Sequence, residues 1–213
     1  MRAPMKPILI ALVALVAVAA AGYGWWRTDL QYRPKTLKHQ DEIGAVLGDS
    51  GWISPGISET KVLYMVTHRT CPFCMAFKQE NFAKLQAAGV DTRVIVYAPK
   101  SPATPEAELT TIGEIWKTRK YDIYEKWMAV NPAVWTTEGM VPATDPERAM
   151  LVAKSREFAE DMRRLMSANG IGTRQTLNLP TLIWRDKDGK LRGCGCEDVA
   201  TRKYVLRELG VDA

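Results

Sequence analysis

The sequence predicts an α/β domain with a helical insertion, standing behind an N-terminal apolar helix. Three observations carry that expectation. Residues 8–21 form an unbroken apolar run behind a short basic start that holds Arg2 and Lys6. Residues 61–98 read as strand, helix and strand, and a proline-led hairpin and a last helix close the chain from Leu179 onward. Between these halves, about residues 101–170, apolar residues recur at helical spacing. The expected organisation is therefore a signal anchor or signal peptide at 1–27, a linker or lead-in at 28–59, and an α/β domain at 60–213 with its insertion at about 101–170.

The N-terminal segment supports two readings. From Pro7 to Trp26 there are twenty residues, about the length that crosses a bilayer, and Tyr23, Trp25 and Trp26 resemble an interfacial belt. Alternatively, Ala19-Ala20-Ala21 could supply a cleavage site and leave a soluble protein. The sequence favours the uncleaved anchor. Both readings send the rest of the chain out of the cytoplasm. The basic residues before the span place the N-terminus inside, so the expected location is the periplasm of a Gram-negative host, tethered to the inner membrane. Residues 28–59 are mostly polar and carry several Gly and Pro, with a short helix expected over 37–47. They read as a spacer that lifts the domain off the membrane.

The first strand is expected over 61–66 and the helix that follows over 76–88, with Phe77, Phe82 and Leu85 forming its apolar stripe. Cys71-Pro72-Phe73-Cys74 stands at their junction. Unpaired N–H groups at a helix N-terminus favour a thiolate at the first cysteine, and proline is harmless at the first helical position. The competing reading is half of a structural zinc site, which would need two further ligands. Gly89 stops the helix, and residues 91–98 return as a second strand, making a parallel crossover. Residues 106–130 read as one helix. A second begins at Thr144 or Asp145, with Pro146 in its first turn, and runs to about Ala168. Residues 179–185 are a strand, Asp186-Lys187-Asp188-Gly189 a turn, and 190–192 the returning strand. That strand meets Cys194-Gly195-Cys196, and a helix over 199–209 ends the chain.

The formal net charge is +5, but residues 28–213 hold 26 basic and 24 acidic side chains, so no nucleic-acid partner is expected. The four cysteines fall as two tight pairs, Cys71/Cys74 and Cys194/Cys196. That usage suits a redox protein better than a disulfide-stapled one.

The stretch from Tyr64 to Cys74, together with Leu179-Pro180-Thr181-Leu182, resembles the periplasmic thiol:disulfide interchange proteins of the DsbC/DsbG type over about residues 60–213. The resemblance implies a thioredoxin-like fold, with Pro180 as a cis-proline facing the Cys-x-x-Cys motif. It implies that Leu179 stands where the family usually has Thr or Val, beside the redox sulfurs. Met65 occupies the place of the buried acid of thioredoxins. Residues 28–59 are too short and polar for the family's N-terminal dimerisation domain.

On this reading Cys71 is the attacking nucleophile and Cys74 the resolving cysteine. His68 and Arg69 would favour the Cys71 thiolate, and His68 could also meet substrate or, in another reading, a metal ion. Phe73 is expected as an exposed apolar contact for unfolded substrates, and the backbone of Leu179 could pair with an extended segment. Cys194/Cys196 would be a second redox pair beside the first, oxidising because its ring is small. The expected activity is thiol:disulfide exchange, of reductase or isomerase type, on extracytoplasmic proteins with cysteines. A membrane or periplasmic partner would reset the dithiol, and no cofactor or metal is needed. The alternatives are a copper-binding chaperone that uses the cysteines as ligands, and a non-catalytic subunit of a cell-envelope machine.

Overall fold

The computed structural model describes residues 5–211, which divide into two compact units, one ending at Arg33 and one beginning at Pro34. The first is the helix α1 (Met5–Thr28) and a 3-10 turn at Leu30–Tyr32. At 24 residues, α1 is about 36 Å long, more than the roughly 30 Å of a bilayer's hydrocarbon core. Leu12, Val13, Leu15, Val16 and Val18 are exposed along it. The segment is long and apolar enough to be a membrane anchor or a signal sequence.

The second unit is mixed α/β. In chain order it contains β1 (Lys35–Thr36), α2 (Gln40–Asp49), β2 (Val62–Thr67), α3 (Pro72–Ala87), β3 (Asp91–Val96) and α4 (Glu106–Thr118). There follow α5 (Tyr121–Ala129), α6 (Pro146–Ala168), β4 (Thr181–Arg185), β5 (Leu191–Gly195) and α7 (Val199–Glu208). Among the described residues the strands form one five-stranded sheet, in the order β1-β5-β4-β2-β3. β2 and β3 run parallel, with α3 as the crossover between them. The other neighbours are antiparallel. The β4–β5 hairpin turns through Asp186, whose carboxylate accepts from the N–H groups of Asp188 and Lys190. Leu63, Met65, Val66, Val94, Ile95, Leu182, Ile183 and Trp184 are almost fully buried along the sheet. Each such large side chain contributes about 1.5–3 kcal/mol on leaving water.

Strand periodicity fixes which side of the sheet each residue faces. Met65, Leu182 and Cys194 are direct cross-strand partners, so they share a face. Trp184 and Arg192, each two residues from its neighbour in that set, both reach Glu208 of α7, at 3.1 and 2.8 Å. That face is therefore the one under α7. Arg202 of α7 pairs with Glu80 of α3 at 3.0 Å and lies over the Phe77 ring, so α3 and α7 are side by side.

Two expectations from the sequence change here. Residues 28–59 read as a linker or lead-in with a short helix over 37–47; that helix is α2, and from Pro34 on the chain belongs to the folded unit. Lys35 and Thr36 pair with Gly193 and Arg192, and Leu37, Ile43, Leu47 and Ile53 are buried. Ile53 and Val94 exchange backbone hydrogen bonds of 2.9 and 2.8 Å along the outer side of β3. Leu37, Ile43 and Leu47 fall within the helix expected over 37–47, whereas Ile53 stands among Gly and Pro with no period to announce it. Residues 106–130, expected as one helix, are two. α4 ends at Arg119, which takes the left-handed conformation at φ 58°. Its guanidinium donates to the Trp52 carbonyl at 3.0 Å, and its N–H to the Ile115 carbonyl at 3.0 Å. A tertiary contact thus holds the break, and apolar spacing carries no sign of it. Asp145 caps α6, accepting from the N–H groups of Glu147 and Arg148, and Pro146 stands in the first turn.

Candidate functional site

Cys71 is the N-cap of α3. Its extended backbone (φ −77°, ψ 105°) starts the helix, and its sulfur accepts from the Cys74 N–H at 3.2 Å. Cys71 and Cys74 are joined by a disulfide with Cα atoms 5.3 Å apart. One helical turn brings residues i and i+3 onto the same face, so this spacing needs no backbone adjustment. Both sulfurs belong to buried residues, whereas Phe73 between them is 49% exposed.

Leu179 and Pro180 stand immediately before β4, and their peptide bond is cis. Thr181 pairs with Val66, near the end of β2 from which the chain runs on to Cys71. Register therefore sets Leu179-Pro180 against the loop that carries His68 to Cys71. Pro180 is buried and Leu179 half-buried. Among the described residues, neither the N–H nor the C=O of Leu179 takes part in a hydrogen bond.

The second pair, Cys194 and Cys196, is also joined by a disulfide, with Cα atoms 5.4 Å apart. The Cys196 N–H donates to the Pro180 carbonyl at 2.8 Å, which ties this turn to the cis peptide. Gly195 lies against Asn178, with no room there for a Cβ.

The two cysteine pairs meet through a residue that the sequence reading missed. Arg202 is 4% exposed, and its guanidinium donates to the carbonyls of Cys196 (3.3 Å), Phe73 (3.4 Å) and Glu197 (3.4 Å). The same group makes the ion pair with Glu80. One cation thus holds the Cys71–Cys74 turn and the Cys194–Cys196 turn together. A sequence signal existed: Arg202 interrupts the buried stripe that α7 makes with Thr201, Val205 and Leu206.

His68 and Arg69 are expected to favour a Cys71 thiolate, and the structure shows what each side chain touches. The half-buried His68 ring packs edge-on against Tyr97, with centroids 5.7 Å apart, and Nδ1 is 3.0 Å from the Thr70 hydroxyl. Burial lowers its pKa from the ordinary 6.5, so the imidazole is neutral at neutral pH. Burial also pushes the Tyr97 phenol up to about 12. Arg69 is buried and donates to the carbonyls of Trp127 and Val130, both at 3.0 Å, with its guanidinium 4.8 Å from the Trp127 ring centroid. Its charge faces Glu108, whose pKa burial raises while Arg69 draws it down. Arg69 thus fastens the end of α5 beside the Cys71 loop. The N–H groups at the start of α3 favour a thiolate at Cys71.

Compared with protein-family models and with curated proteins, the chain matches none.

Proposed function

We propose that the chain is a thiol:disulfide oxidoreductase of thioredoxin-like fold and DsbC/DsbG type, tethered by α1 and acting on periplasmic protein substrates. One observation carries the reading: a Cys-Pro-Phe-Cys disulfide caps a helix, and the start of a neighbouring strand, with a cis X–Pro bond, lies against the same loop.

In the reductase direction, the Cys71 thiolate attacks a substrate disulfide. A mixed disulfide forms on Cys71 and one substrate thiolate leaves. The Cys74 thiol loses its proton and displaces the mixed disulfide. The substrate departs as a dithiol, and Cys71–Cys74 is left oxidised. An external dithiol partner then resets the pair. The free N–H and C=O of Leu179 suit short strand-like pairing with an extended substrate, and exposed Phe73 offers it an apolar contact.

The test is covalent trapping in cells. The Cys74→Ala variant is expected to accumulate mixed disulfides on Cys71, seen as mobility shifts on non-reducing gels that vanish with reductant. Recovery of the same adducts from Cys71→Ala would remove Cys71 from the role of nucleophile. In vitro, insulin reduction driven by an added dithiol should be lost in both variants.

A further inference from the structure

We propose that Cys194/Cys196 is a second exchange centre that passes a disulfide to and from Cys71/Cys74 within one chain, so that the two pairs work as a relay. The proposal rests on the reading of Cys71 as an exchange thiol.

Cys194 lies on the sheet face covered by α7, and Cys71 and Cys74 begin α3, which packs beside α7. Arg202 closes the remaining gap, since a single guanidinium reaches the backbone carbonyls of both Phe73 and Cys196. A planar group of that size cannot touch two turns unless they are neighbours. The Pro180 carbonyl adds a second tie to the Cys196 N–H. Cys194, at 5% exposed, is as buried as Cys71 at 4%, and Cys196 is fully buried, so each pair has the other's turn as a neighbour inside the fold. A pair kept only for packing has no need of two thiols in a cross-linkable turn at this location.

The chemistry balances without a bound cofactor. An external dithiol first reduces one pair: the donor closes to its disulfide, and the pair gains two electrons and two protons. A thiolate of the reduced pair then attacks a sulfur of the other disulfide, forming a cross-disulfide and releasing one thiolate, which takes up a proton. The second thiol of the attacking pair loses its proton and displaces the cross-disulfide. The first pair is then oxidised again, and the second pair holds the two electrons and two protons.

The full-length chain in detergent tests this with Cys74→Ala, which leaves a free Cys71 thiol facing an intact Cys194–Cys196 disulfide. Non-reducing peptide mapping at mildly alkaline pH is expected to show loss of the free Cys71 peptide and gain of a cross-link from Cys71 to Cys194 or Cys196. The reciprocal variant, Cys194→Ala, should let Cys196 capture Cys71 or Cys74, which guards against a folding defect in the first variant. Glutathione disulfide is supplied to a parallel sample as an external probe of Cys71. If Cys71 takes the glutathione adduct but neither variant cross-links, the relay is overturned and the oxidoreductase reading stands. If Cys71 takes neither, both fall. A cross-link whose rate rises with protein concentration joins separate chains and also overturns the relay.

Discussion

His68 and Arg202 show how single side chains near the cysteines set measurable properties. The native state disfavours a charged His68, because burial lowers its pKa. The unfolded chain binds that proton first, so stability falls as pH drops below 6.5, and the loss is complete once pH has passed the lowered native value. Glu108 works with the opposite sign. Its pKa is raised, so its contribution is present below the ordinary 4.5 and fades as pH rises through the raised value. His68→Gln leaves Glu108 in place, so the difference between wild type and variant isolates the imidazole. Urea midpoints at about pH 7.5 and about pH 5.5 should fall more in the wild type than in His68→Gln. Arg202→Met is a different experiment. It strips charged hydrogen bonds from three backbone carbonyls and should cost about 2–4 kcal/mol in the urea midpoint. Glu80, its ion-pair partner, is 58% exposed. Glu80→Gln should therefore cost less than about 1 kcal/mol in the same measurement, because water replaces the lost pairing. The contrast separates what the buried carbonyls contribute from what the ion pair contributes.

The elements place the site through a few close packings. Gly51 lies directly on the Trp116 indole, whose Nε1 donates to the Val96 carbonyl at 2.7 Å, so the ring has little freedom to retreat. Gly51→Ala should lower stability by about 2 kcal/mol, read as a shift in thermal midpoint. This also shows what was legible in the sequence. The β2–α3–β3 crossover and the β4–β5 hairpin could be read because their signals are local: an apolar run, a cysteine cap, a Pro-led strand, an Asp-Gly turn. The cysteine pairs were legible for the same reason. The break at Arg119 was not, because it depends on Trp52, 67 residues away. Ile53 gave no strand signal, because it forms an isolated bridge rather than a strand of its own. Arg69 read as a charge for the thiolate, and the signal for Arg202 was only its place one turn before Val205 and Leu206. Their actual partners are backbone carbonyls, which no side-chain pattern reveals.

At the scale of the whole molecule, α1 and the α/β unit are separate compact bodies, and each has its own test. Full-length protein should stay with the membrane fraction after an alkaline wash. A chain that starts at Pro34 should remain in the supernatant and melt in one cooperative step. Release of the full-length protein by the wash would argue against an uncleaved anchor. The sheet has two ends, and neither presents a long bare strand. β1 is only two residues long, and Ile53 makes paired backbone bonds to the outer side of β3. Open strand edges recruit other extended chains and seed fibrous aggregates. A protein that meets unfolded, disulfide-scrambled chains, as we propose, works among such extended segments. On that reading the two-residue β1 and the Ile53 bridge shorten the edges open to such chains, and their capture would fall to the free backbone at Leu179.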